Sequence, residues 1–266
     1  MLCRPDASEW SPWSNGANTI KELGTIESVQ FRAPVIPAAP CNTPTVCARF
    51  TLMMPWADLV RLLGGDVRAQ VHGKASWNIA PTQQIAMIEE SGTGRHLTSA
   101  RWGLAVSWTT NPMIDARSET AADKPTFRRA LQERRCLIPT TGFYEWRTED
   151  GRKQPFLFRR EDAGPFAFAG ISDFYDTKGG VAQACAILTT SASTFMRQFH
   201  ERMPVIVPQP AWDIWLDRTV TDSAVLADLS EPTPDAFLIA VPVSARVNNP
   251  RNNDAECAAA TGPAIR

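Results

Sequence analysis

Short apolar runs broken by glycine-rich turns set the strongest limit on how this chain can fold. Ile85-Ala-Met-Ile-Glu89 is followed by the turn Gly92-Thr-Gly94 and a partner run over residues 97–102, the pattern of a β-hairpin. Pro155-Phe-Leu-Phe158, Phe166-Ala-Phe-Ala-Gly170 and Ala184-Cys-Ala-Ile-Leu-Thr-Thr190 repeat it, separated by Glu-Asp-Ala-Gly and Lys-Gly-Gly turns. Residues 205–207 and 237–244 read as the last strands. Helical spacing is confined to residues 56–63, 127–131, 193–199, 212–216 and 223–229. Strands and helices interleave without regular βαβ alternation. The expected class is therefore α+β, with a curled, mostly antiparallel, barrel-like sheet and flanking helices.

Three segments follow from the same pass. Residues 1–46 carry Trp10-Ser-Pro-Trp13 and a linker punctuated by Pro34, Pro37, Pro40 and Pro44, turn chemistry without periodicity; this reads as a poorly ordered extension. Residues 47–253 read as the folded domain. The Ala-rich residues 254–266 read as a flexible tail.

A net charge of −1 over 266 residues gives no global pull toward nucleic acid or membrane, so any polyanion site has to be a local arginine cluster. The six cysteines form no C-x-x-C pair and have no histidine at zinc spacing. Reduced thiols, no metal and a cytoplasmic location are expected. There is no signal-peptide order and no apolar window of membrane-spanning length.

Within that frame Phe143-Tyr144-Glu145-Trp146 stands out. Leu137-Ile138 reads as a short strand stopped by Pro139 and turned by Thr140-Thr141-Gly142, which delivers one carboxylate among large aromatic rings. Such walls disfavour the charged form and raise the pKa, which suits a proton shuttle near neutrality. The alternative is an ordinary outward-facing strand residue. Cys47 is a candidate nucleophile and His200 a candidate acid or base, against the alternatives of a buried small hydrophobe and a helix C-cap. Arg128, Arg129, Arg134 and Arg135 are expected to bring cations near Trp102 and Trp108.

A set of blocks then occurs in one order: Cys47-Ala-Arg-Phe50, Asn78-Ile-Ala-Pro-Thr-Gln83, Trp102-Gly-Leu104, Ala116-Arg-Ser-Glu-Thr120, Lys124-Pro-Thr-Phe-Arg128, Arg135-Cys-Leu-Ile-Pro139, Gly142-Phe-Tyr-Glu-Trp146, Phe166-Ala-Phe-Ala-Gly170, Leu188-Thr-Thr190 and His200-Glu-Arg-Met-Pro204. In this order they resemble the SOS-response-associated peptidase (SRAP) family, abasic site processing proteins. The resemblance implies an enzyme that captures the ring-opened abasic deoxyribose in single-stranded DNA, with self-processing that exposes the cysteine and lyase-type activity. It implies Cys47 as the covalent residue, Glu145 as proton shuttle and His200 as proton donor near the lesion. Arg49, Arg117 and Arg202 are implied phosphate contacts, and Trp146, helped by Trp102 or Trp108, an implied stacking surface. The implied state is a monomer without cofactor, off the membrane, and nucleoid-associated when bound to DNA.

The family chemistry needs an α-amine and a thiol on one residue, so Cys47 has to become a chain terminus. Val46 as a misread start, or release of a propeptide, are the two routes. Asp115 stands where the family usually has Asn, Ala105-Val106 where it has Ile-Pro, and Ala48 where it has Gly. Asp115 is expected beside Glu145. Two readings compete with covalent capture: a cysteine peptidase acting on outside substrates, and a non-covalent single-stranded DNA-binding module.

Overall fold

A computed structural model of the protein describes residues 48–62, 68–69, 73–92, 94–106 and 109–266. Five strands close into a barrel. Arg135–Thr140 lies between Gln84–Ser91 and Phe166–Thr177, while Gln84–Ser91 forms the expected hairpin with Gly94–Trp102 and Phe166–Thr177 one with Gly180–Ser191. These pairs are antiparallel. The ring shuts where Gly94–Trp102 meets Gly180–Ser191 in parallel, at Ala184↔Arg101 and Cys185↔Trp102. Closure removes the open edges that a sheet of this kind would otherwise expose.

The second sheet runs in the order Ile239–Pro242, Arg152–Arg159, Gly142–Glu149, Phe50–Leu52, Ser76–Ile79. Its inner face packs on the barrel through aromatic edges: Phe50 and Phe143 each lie 5.9 Å from Phe168, and Phe50 lies 5.0 Å from Trp102. Edge-to-face contacts of this kind add to the area buried. The fold is thus α+β with a mostly antiparallel, barrel-like sheet, as the turn pattern implied. Among the described residues no helix is long and apolar enough to cross a membrane.

The chain passes from barrel to second sheet at Thr141. Pro139 does not stop the strand, which runs on to Thr140 with Pro139 opposite Ala167. The crossing buries backbone polar groups, and threonines satisfy them. Thr140 Oγ1 donates to the Thr51 carbonyl at 2.9 Å, and Thr141 Oγ1 accepts from the Met53 N–H at 2.9 Å. Gly142 is required here, since a Cβ would sit 2.7 Å from the Phe158 carbonyl oxygen. This crossing sets the direction of the following strand, and hence which way each residue of Phe143–Trp146 points.

The helix Pro125–Glu133 has proline in its first turn, where the missing N–H costs nothing, and buries Phe127, Ala130 and Leu131 at helical spacing. Two local expectations are corrected. Residues 193–199 form a single 3₁₀ turn, Met196–Gln198, with the His200 N–H still donating to the Met196 carbonyl. Residues 254–266 pack rather than fray: Cys257 is fully buried, and Ala240 and Ile265 exchange backbone hydrogen bonds of 3.0 and 2.8 Å. A long-range pairing partner orders a segment whose own sequence carries little propensity.

Candidate functional site

Alternation along Gly142–Glu149 divides its residues between two faces. Phe143, Glu145 and Arg147 point to the barrel side, with Phe158, Phe156 and Gln154 directly opposite. Phe143 stacks on Phe158 at 5.2 Å, and the Arg147 guanidinium lies over Phe156 and Phe199 at 4.9 and 4.8 Å. Glu145 is 4% exposed among these groups. A buried carboxylate on a strand floored by phenylalanines is what the sequence pattern implied. The rings concerned are Phe143 and Phe156, whereas Tyr144 and Trp146 take the opposite face.

The segment that follows the 3₁₀ turn ties this face to a second group of polar residues. Phe199 packs edge-on to Phe156 at 5.0 Å and Phe158 at 4.8 Å. His200 comes next, half-buried, with Nδ1 accepting the Arg202 N–H at 3.0 Å. That bond places the proton of the neutral ring on Nε2. Burial lowers the His200 pKa below the ordinary imidazole value; the Arg202 cation acts in the same sense, while Glu201 opposes it.

Arg202 then lies beside the strand Gly180–Ser191 on one side, with Asp115–Arg117 on the other. Its guanidinium reaches across Thr189, donating to that carbonyl at 2.6 Å, and grips Glu119 with two bonds of 2.9 Å. Fork-to-carboxylate geometry of this kind is the strong form of the ion pair. Asp115 is half-buried beside this cluster. Burial raises its pKa, and the Arg202 and Arg117 cations hold it partly down. Burial rather than a neighbouring carboxylate therefore leads that shift. Arg117 itself is exposed.

On the outer face the Trp146 indole donates to Asn248 Oδ1 at 2.7 Å. Arg49 turns the same way, donating to Asn78 Oδ1 at 2.9 Å and to the Val247 carbonyl at 2.8 Å. Tyr144 donates to the Trp77 carbonyl at 2.7 Å, and burial pushes its pKa up, so the phenol acts as a donor.

Asp115, Arg117, His200 and Arg202 are therefore gathered together, Glu145 is joined to them through Phe156 and Phe199, and Arg49 and Trp146 form a separate polar face. Trp102 is corrected to a core residue: it is 1% exposed, with its indole donating to the Ile114 carbonyl at 2.9 Å, so no base can stack on it. The arginine run is corrected as well. Arg129 pairs with Glu133 and Arg134 with Asp173, while Arg135 is buried and donates to the Trp215 and Leu131 carbonyls. Cys47 and Trp108 lie outside the described residues.

Sequence reasoning missed Glu119 and Asn78 as working groups. Both stand inside the ordered blocks, yet a carboxylate that grips an arginine 83 positions away leaves no local signature. Among the described residues no cluster of His, Cys, Asp and Glu is placed to hold a metal.

Comparison with known proteins gives the family. The family model of the SOS response associated peptidase (SRAP) matches residues 46–250. The abasic site processing protein YoqW of Bacillus subtilis is 35% identical, across 79% of this chain and 98% of its own. The abasic site processing protein YedK of Escherichia coli is 28% identical, also across 79% and 98%. A solved structure from Bordetella bronchiseptica aligns with a TM-score of 0.64 and 26% identity over 74% of this chain and 100% of its own. Another, from Bacteroides thetaiotaomicron, gives 0.66 at 22% identity over 77% and 97%, a likeness of fold. With nearly the whole of residues 46–250 accounted for by one family model and a relative at 35% identity, the chain belongs to the SOS response associated peptidase (SRAP) family.

Proposed function

We propose that the protein processes abasic sites in DNA, by covalent capture of the ring-opened deoxyribose in single-stranded DNA on Cys47. In this reading the α-amine of a terminal Cys47 attacks the sugar aldehyde and water leaves to give an imine. The thiol then adds to the same carbon while its proton passes to nitrogen, closing a thiazolidine. Only a residue with both groups free can make these two bonds, so the peptide bond before Cys47 has to be absent.

Glu145 moves protons during ring opening and imine formation, and His200 donates a hydrogen bond from Nε2–H to the sugar oxygen, delivering a proton only when the ring is first charged as imidazolium. Arg117, Arg202 and Arg49 act on phosphates, and Trp146 offers a stacking surface. The observation that carries this reading is the Phe199–Arg202 segment. It sets a neutral imidazole and a fixed guanidinium between the strand of the buried Glu145 and the strand of Asp115 and Arg117. A binding module has no need of that buried carboxylate. A peptidase acting on outside substrates would work with an internal Cys47.

The test is a chain that begins at Cys47, incubated with single-stranded DNA carrying one abasic site and run on a denaturing gel. A heat-stable adduct is expected, and residues 1–46, when present, should block it until cleavage before Cys47. An adduct whose intact mass includes the uncleaved extension would overturn the mechanism. Cys47→Ser keeps the amine and should give only a transient imine. Adducts of equal stability from both proteins would remove the thiol from the reaction.

A further inference from the structure

The segment 247–253 is anchored from below by a single buried side chain. Asn78, 1% exposed, shares the two Nδ2 protons among the carbonyls of Val247, Asn249 and Asn252 at 3.1, 3.1 and 2.8 Å, while its Oδ1 accepts from Arg49. Asn253 Oδ1 accepts the N–H groups of Trp77 and Asn78 at 2.7 and 3.0 Å. A loop with its base satisfied this fully has little freedom to move.

Asn248, at its exposed rim, makes two contacts that converge on the proposed DNA face. Its main-chain carbonyl accepts from Arg49 Nη2 at 3.3 Å, and its side-chain oxygen accepts the Trp146 indole N–H at 2.7 Å. An indole N–H can only donate, so the Asn248 amide has to turn its oxygen to Trp146. Trp146 remains half-buried, so part of its ring stays accessible.

We infer that Asn248 is a positioning residue for single-stranded DNA: it locks the Trp146 indole in the orientation in which a base stacks, on a loop that Asn78 holds rigid. This rests on the DNA-binding part of the proposed function. It adds a residue whose role is affinity through ring orientation, outside the group that moves protons. A free indole would pay rotamer entropy each time a base docked, which a pre-set ring avoids.

The experiment is a double-mutant cycle on equilibrium binding of an undamaged single-stranded oligonucleotide, using the chain that begins at Cys47. Asn248→Ala should weaken binding by about fivefold, part of the value of one stacked base. Trp146→Phe keeps a stacking ring but has no N–H to lock, so Asn248→Ala in that background should cost nothing further. Single-turnover capture by the saturated complex should be unchanged by Asn248→Ala, and thermal midpoints should show that all four proteins fold alike. An equal loss in both backgrounds, or no loss in the parent, overturns the inference. A parent that binds the oligonucleotide yet forms no adduct with an abasic strand overturns covalent capture while the cycle still decides Asn248. A parent with no affinity for the oligonucleotide overturns both.

Discussion

The two faces of Gly142–Glu149 are built from the same short run of aromatic residues, yet they are finished in opposite ways. The inner face sets Glu145 on Phe143 and Phe156, with Phe199 closing the aromatic floor and leading directly to His200 and Arg202. The outer face sets Trp146 against the Asn248 side-chain amide and Arg49 against the carbonyls of Val247 and Asn248. The inner face keeps its carboxylate out of bulk water. Hydrogen bonds from an indole and a guanidinium to neutral acceptors fix geometry, which suits a surface meant to hold a ligand. In the proposed function Glu145 acts on one face of this strand and Trp146 stacks on the other, and changes on the two faces should separate in the same way.

The largest effect is expected from Glu145→Gln, which keeps the shape of the inner face and removes its proton transfer. Single-turnover capture should fall by about a hundredfold or more, with affinity for the abasic strand nearly unchanged. If affinity falls and the rate of the bound complex does not, Glu145 belongs to packing and the division between the faces fails.

Asn78→Ala attacks the outer face at its base. It takes a buried donor from three loop carbonyls, of which Val247 keeps Arg49 and Asn249 keeps the Asn252 N–H, and should cost about 1–3 kcal/mol of stability in denaturant unfolding, as expected for a lost buried polar hub. DNA affinity should fall with it, while the capture rate of saturated complex changes little. A rate loss as large as that of Glu145→Gln would show that the two faces act as one unit.

A smaller effect is expected at Asp115. Its pKa is raised by burial, so the folded state favours its protonated form and stability from this group is lost as pH rises through the folded pKa. Asp115→Asn should therefore stabilise the protein at neutral pH, with the gain fading toward the ordinary carboxylate range. It should also speed capture at about pH 8 by roughly two- to tenfold, the kinetic worth of one restored hydrogen-bond donor. The difference should shrink near about pH 5.5, where protonation returns a donor to the parent. Coincident rate profiles would uncouple Asp115 from the reaction, and a faster parent at the higher pH would make its carboxylate a base. His200 contributes the opposite slope: its lowered pKa means that stability is lost as pH falls through the unfolded-state value.

How much of this is legible in the residues differs between the same two faces. Strict alternation puts Glu145 on one side of a strand and its neighbours on the other, and the turn at Gly92-Thr-Gly94 sets the hairpin register seen at Ser91↔Gly94. Glu145 can be singled out from the residues alone, because a carboxylate in an aromatic run is a local anomaly. The outer face has no such marker. Asn78 looks like one residue of a motif, since its worth lies in carbonyls about 170 positions away.

What the sequence by itself determined is therefore what short-range physics controls: strand and helix periods, turn positions, the mostly antiparallel class, and the ordered blocks that carry the family resemblance. The tertiary structure decided what depends on which distant segment arrives. It shut the barrel through a parallel contact between Gly94–Trp102 and Gly180–Ser191, and it sent Trp102 into the core. It also brought Arg202 to Glu119 and pinned residues 254–266 against Ile239–Pro242. Periodicity reports only that a residue has a buried side; the partner that covers it is chosen by packing of the whole chain, where each contact competes with every alternative.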